Sequence, residues 1–170
     1  MLLYYVIMIV CSFPESLHKL PLAELYIDDN LISAIPPSIK RFQNLVQLRL
    51  GNNQVCCSSF SLSLLSKLRH IAPEIGLLGQ LQTLDLSVNN LTTLPPQIGL
   101  LTSLQSLFLA SNALTTLPDE LAGCTAITRL NFYVCNSHIC KLKFPCVVLF
   151  TFAYCIRAMN SVISLLRLQV

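Results

Sequence analysis

Tryptophan is absent from this 170-residue sequence, glycine occurs five times, and only 11% of the residues are charged. Soluble domains ordinarily carry about 25% charged residues. With 54% apolar residues, the chain is too hydrophobic and too weakly charged to be disordered. The same deficit argues against an ordinary globular enzyme. It leaves a membrane protein, a repeat built on one apolar residue, or a reading frame that includes non-coding sequence. The few glycines form no phosphate loop, because Gly76, Gly79 and Gly99 lie outside that spacing. A net charge of +3 is too small to point to nucleic acid. Acids are missing altogether after Glu120: five Lys/Arg follow, against six Lys/Arg and eight Asp/Glu before.

What is abundant is leucine, 35 residues in all, and it has a period. Leu22, Leu25, Ile27 and Asn30 are spaced L-x-x-L-x-L-x-x-N. The spacing returns at Leu45-Leu48-Leu50-Asn53, Leu81-Leu84-Leu86-Asn89, Leu104-Leu107-Leu109-Asn112 and, frayed, Ile127-Leu130-Phe132-Cys135. Successive starts are 23, 36, 23 and 23 residues apart. A second half repeats as well: Ile32-Ser-Ala-Ile35-Pro36-Pro37-Ser-Ile39, Leu91-Thr-Thr-Leu94-Pro95-Pro96-Gln-Ile98 and Leu114-Thr-Thr-Leu117-Pro118-Asp-Glu-Leu121.

Alternation on a short strand turns the fourth and sixth positions of each unit inward and the variable positions beside them outward. The outward positions form columns. One is Glu24, Gln47, Thr83, Ser106 and Arg129, the next Tyr26, Arg49, Asp85, Phe108 and Asn131, the third Asp28, Gly51, Ser87, Ala110 and Tyr133. Asn30, Asn53, Asn89 and Asn112 stand where the chain leaves each strand, placed to form a ladder of amides that satisfies backbone groups of neighbouring turns. Proline disfavours regular helix at the residue before it, so the opposite side is expected to be extended or short-helical. One unit cannot bury its apolar face alone, so the units must stack.

With these motifs the chain resembles the leucine-rich repeat family in its 23-residue form, over about residues 13–135. The resemblance implies an α/β horseshoe solenoid with short parallel strands on the concave face. The unit L-P-x-x-I-G-x-L is similar to repeats of intracellular Ras-pathway scaffold proteins and plant Ras-group-related proteins. It implies a non-enzymatic docking module in cytoplasmic signalling that needs no cofactor. Its partner would be another protein, with a small-GTPase-pathway component as one option, and no nucleic acid. Function in this architecture lives on the variable concave positions. Partner-binding candidates are Glu24, Tyr26, Asp28, Arg49, Asp85, Phe108, Arg129, Asn131 and Tyr133. Tyrosine and arginine are the types that dominate binding hot spots, and Phe108 is a large aromatic where the fold asks for nothing apolar.

Three stretches depart from the pattern. Removing residues 55–67 joins Gln54 to Leu68 and restores the 23-residue step, so this segment reads as a 13-residue insertion. It is either a loop on the convex side or a retained intron. Residues 1–12 form an apolar leader: a first strand, a signal peptide, or a start placed inside a longer frame. Residues 136–170 form an apolar, basic tail: a membrane contact through 144–166, a hydrophobic cap over the last repeat, or read-through of non-coding sequence. Its uncharged core, residues 144–156, is shorter than the roughly 20 residues of a span. A membrane-attached or secreted recognition fragment, and a piece of a larger protein, stand as alternatives.

Other chemistry is weak. No Cys-rich cap with fixed spacing flanks the repeats, which favours a reducing compartment. Cys135-x-x-His138-x-Cys140-x5-Cys146 matches no zinc module, so no metal site is expected. His18, His70 and His138 lie far apart. The pairs Asp28-Asp29 and Asp119-Glu120 have no marked pocket. Asn90-Leu91-Thr92 is a glycosylation sequon that matters only in a secreted chain. Composition divides the same way: residues 81–126 are 21 of 46 apolar, residues 132–170 are 26 of 39.

Overall fold

Each unit turns on the same two devices, a three-residue strand and a short turn introduced by proline or its equivalent. The structure, a computed structural model, describes residues 2–4, 11–53, 68–114 and 116–131. Strands β1 (Leu2–Tyr4), β2 (Glu24–Tyr26), β4 (Gln47–Arg49), β6 (Thr83–Asp85), β7 (Ser106–Phe108) and β8 (Arg129–Asn131) form one parallel sheet in that order. A second, two-stranded parallel sheet joins β3 (Ala34–Ile35) to β5 (His70–Ile71). Parallel strands need a crossover between them, and here every crossover is one half-unit.

The crossovers hold 3-10 helices at Glu15–Lys19, Pro37–Arg41, Pro73–Leu77, Pro96–Leu100 and Asp119–Gly123. Pro14, Pro36, Ala72, Pro95 and Pro118 precede them in N-cap position. Pro37, Pro73 and Pro96 open three of the helices, where a φ fixed near the helical value fits and the missing N–H is one that a first turn leaves unbonded. The helices are stacked tightly. A Cβ at Gly99 would collide with the Glu120 carbonyl, and one at Gly76 with the Gln97 carbonyl. These positions therefore require the bare backbone.

The core runs as one continuous cluster along the stack. Leu25, Leu48, Leu84 and Leu107 from the strands meet Ile39, Ile75, Ile98 and Leu121 from the helices, all fully buried. Phe13 packs edge-on against Phe42 at 5.7 Å between ring centres, at the end that carries β2. After residues 54–67, which lie outside the described residues, Leu68 is buried and Ile71 is in register with Ile35. The repeat thus resumes at Leu68 in the place held by Ile32 and Leu91 elsewhere.

The strand exits share one conformation. Asp29, Asn52, Val88 and Ser111 adopt positive φ of 51–57°. Asn and Asp tolerate that region, whereas a β-branched valine is strained there.

Candidate binding surface

Strand register brings the expected columns together. Glu24, Gln47, Thr83, Ser106 and Arg129 are in-register partners, as are Tyr26, Arg49, Asp85, Phe108 and Asn131. Asp28 stands beyond them against Gly51. Tyr133 lies outside the described residues, as do the Cys135–Cys146 grouping and residues 144–166. Among the described residues no cluster of three or more His, Cys, Asp or Glu is placed to hold a metal, and no helix is long and apolar enough to cross a membrane.

Toward β2 the face is a polar network. The Tyr26 hydroxyl donates to Glu24 Oε2 at 2.6 Å and lies 3.1 Å from Gln47 Oε1. Arg49 Nε is 3.3 Å from Asp28 Oδ2, and its guanidinium carbon is 5.5 Å from the Tyr26 ring centre, a cation–π distance. Asp28 Oδ1 accepts the Gly51 N–H at 2.8 Å, and Asp85 Oδ1 accepts the Ser87 N–H at 2.9 Å. The Asn52 amide donates to Asp29 Oδ1 at 2.6 Å. Burial pushes the Asp28 carboxyl above its ordinary value; the Arg49 guanidinium and the Gly51 N–H oppose this, while Asp85 and Asp29 add to it. Asp28 is therefore a desolvated carboxylate that Arg49 only partly compensates. The ion pair is half exposed, so its own stability contribution is small, about 0–1 kcal/mol.

Toward β8 the character changes. Phe108 is half-buried, with Ala110 following it and the exposed, left-handed Val88 in the neighbouring unit. Ser106 departs from the expected outward column: it is fully buried and its hydroxyl has no hydrogen-bond partner among the described residues. Its short side chain sits between the longer Thr83 and Arg129 in register. Arg129 and Asn131 are exposed.

The asparagines sit beneath the strand exits. Asn53 Nδ2 donates to the carbonyls of Leu50 at 2.8 Å and Ile27 at 3.2 Å, and its Oδ1 accepts the Ile32 N–H at 3.0 Å. Asn112 repeats this with Leu109 and Leu86 at 2.9 Å and the Leu91 N–H at 3.0 Å. Asn30 donates to Ile27 and Asp28. Asn89 donates to Leu86 and Leu50, but its buried Oδ1 has no partner among the described residues. Both complete rungs draw an N–H from 21 residues upstream. The residue at that offset from Asn89 is Leu68, the first after residues 54–67.

Known proteins match both this geometry and the sequence. The family described as leucine rich repeat matches residues 79–132, from the turn before β6 to just past β8. The described residues have the fold of a leucine-rich-repeat solenoid. The solenoid is similar to mouse leucine-rich repeat serine/threonine-protein kinase 1, 35% identical over 83 residues. That match takes in 49% of this chain and only 4% of the kinase, so it concerns a small segment of that protein. Among solved structures it resembles a chain of the BIR3–SERK2 complex of Arabidopsis thaliana, with 28% identity, a TM-score of 0.51, and coverage of 75% of this chain and 64% of that one. It also resembles a chain of the Toll–Spatzle complex of Drosophila, with 25% identity, a TM-score of 0.53, and coverage of 74% and 19%. Both structures are of protein–protein complexes.

Two features of the solenoid's surface were not anticipated from the sequence. Gly51 is a gap between carboxylates: a Cβ there would lie 3.0 Å from Asp28 Oδ1 and 3.7 Å from Asp85 Oδ1. Leu77 and Leu100, at equivalent convex positions, are more than half exposed. The variable column around Gly51 was visible in the repeat, but the side chains that flank the gap come from other units.

Proposed function

We propose that this solenoid is a protein-binding module whose partner lies along the concave sheet, and that it works in intracellular signalling in the cytoplasm. The observation that carries this reading is the face itself. Register aligns Tyr26, Arg49, Asp85 and Phe108 across four strands, and each keeps part of its surface open. None of the four is needed by the core, which the inward leucines fill. Large aromatic and guanidinium groups held in this way are what interfaces use as anchors. Structures of similar solenoids in protein–protein complexes support the same reading. A small-GTPase-pathway protein is the first partner class to test, on the resemblance of the repeat unit to Ras-pathway scaffolds.

The test is a cross-linked pull-down with the full chain, compared with Phe108→Ala and Arg49→Ala. Each substitution is expected to reduce recovery of the bound protein about tenfold, the scale of one interface anchor. Equal recovery in both variants rejects the concave face. Fractionation tests the compartment: a chain found only in the membrane pellet rejects the cytoplasmic assignment.

A further inference from the structure

The convex side repeats as regularly as the concave one, and four of its consecutive helices carry opposite charge at their two ends. Pro37–Arg41 has Lys40 and Arg41 and no acid, whereas Asp119–Gly123 has Asp119 and Glu120 and no base. Between them lie Pro73–Leu77, with Glu74 as its one charge, and Pro96–Leu100, with none. The fifth position of these helices is Arg41, Leu77, Leu100 and Gly123 in turn. Arg41 and Gly123 are exposed, and Leu77 and Leu100 are more than half exposed. Pro73 and Pro96 are exposed at the first position of the same two helices. Scattered surface leucines need no explanation. Two in stacked units, flanked by two prolines, make an apolar centre between a basic and an acidic end.

Turned end for end about a two-fold axis midway between Leu77 and Leu100, this ridge complements itself. Pro37–Arg41 then faces Asp119–Gly123, and Leu77 faces Leu100. The helix of Glu74 faces the uncharged one, so no like charges meet. Laid parallel instead, the ridges would set Arg41 on Arg41 and Glu120 on Glu120. Register needs no tuning, because the repeat spacing is the same in both copies. In a 3-10 turn, side chains three residues apart eclipse, so Glu120 stands in line with Gly123. The exposed Gly123 has no side chain to block the approach, and an arginine arriving over it meets the Glu120 carboxylate. Side-chain length follows the curvature. Two convex faces touch in the middle and diverge toward the ends, where arginine and glutamate have the reach that leucine lacks.

We infer that the convex ridge is an interface between two copies of this chain, packed back to back and antiparallel, with Leu77 of one copy against Leu100 of the other and Arg41 against Glu120 at both ends. Isologous two-fold contacts are the commonest form of homo-oligomer. An apolar centre with a charged rim is the usual anatomy of a protein interface. The ridge is one helix wide, so the dimer is a weak, concentration-dependent one. This inference does not depend on the concave-face reading. The contact leaves both concave sheets open and facing away from each other, so the dimer offers two binding faces at once.

The test is sedimentation equilibrium of the full chain over a concentration series. A monomer–dimer equilibrium is expected, weakened by salt. Arg41→Glu and Glu120→Arg each set like charges together at both ends and should weaken dimerisation about tenfold. Leu100→Ser should do the same by removing the apolar centre. All three positions are exposed, so the thermal midpoint of each variant should stay unchanged. Mixing the Arg41→Glu and Glu120→Arg chains restores opposite charges at both ends, and the mixture should dimerise as the unaltered chain does. Phe108→Ala should leave the dimer intact. A chain that stays monomeric at every concentration, a mixture that fails to recover, or self-association indifferent to all three convex variants overturns the inference. Loss of the dimer with Phe108→Ala moves the contact to the concave face and overturns it as well. An intact dimer that recovers no partner leaves this inference standing and rejects only the concave-face reading.

Discussion

Asn112 and Asn89 are the same residue in the same place of successive units, and they differ by one hydrogen bond. Around Asn112 the units follow one another at 23 residues, and its side chain is bonded on both oxygen and nitrogen. Around Asn89 the preceding step is 36 residues. Its nitrogen donates as usual, yet its buried oxygen has no partner among the described residues. The leucines on both sides are equally buried. Apolar stacking and the donated bonds of the ladder therefore tolerate an interrupted repeat, and the accepted bond does not. The hydrophobic core depends on which residues face inward. Asn89 still donates to Leu50 across 39 residues, where the other rungs span 26, so the incomplete rung lacks only the bond its oxygen would accept.

Four measurements break or sharpen this contrast. Replacing Leu107 by alanine in the regular region should cost about 2–5 kcal/mol in urea unfolding, the usual price of a buried leucine cavity. A cost near zero would mean that the stack is not cooperative there. Asn112→Ala strands the Leu91 N–H and two carbonyls, and should cost about 3 kcal/mol. Asn89→Ala should cost about 1–2 kcal/mol less, because one of its bonds was never made. Equal losses would dissolve the contrast. Deleting residues 55–67 puts Leu68 two residues after Asn53, as Ile32 follows Asn30 and Leu91 follows Asn89 in the complete rungs. This should raise stability by about 1–2 kcal/mol, the cost of an orphaned buried acceptor, read as a higher urea midpoint at unchanged slope. A lower midpoint would assign the segment a stabilising part. The smallest effect is local: Val88→Asn relieves a β-branched residue in the left-handed region and should add about 0.5–1 kcal/mol. A loss there would show that the exposed valine makes contacts that outweigh its strain.

Much of this was legible in the sequence, because a solenoid repeats its instructions. The inward leucines, the asparagine positions and the proline-led turns each recur at a fixed interval, and the strands pair in the register those intervals dictate. The concave columns followed from the same count. What could not be read were properties that arise between units rather than within one. Arg49 and Asp28 were separate candidates in different columns, and their ion pair joins residues 21 apart. Ser106 was counted as outward and is covered by its surroundings. Gly51 looked like the blank in its column, and its meaning came from the carboxylates of two other units. The unpaired oxygen of Asn89 could not be read from spacing, since Leu68 stands at the same 21-residue offset as Ile32 and Leu91 in the filled rungs. The convex side was expected to be extended or short-helical, and the Pro-led 3-10 helices fit that range.

The missing rung has a mechanical meaning. In a one-dimensional stack each unit is held only by its neighbours, so opening begins at the junction with the fewest bonds. The junction at Asn89 keeps its strand pairing and its two donated bonds, but lacks the tie that binds the convex half of the unit before it. The solenoid therefore carries a built-in crack tip. Under heat or tension its two segments should part there while each remains folded, and amide exchange should fall into two blocks whose boundary runs through Leu68.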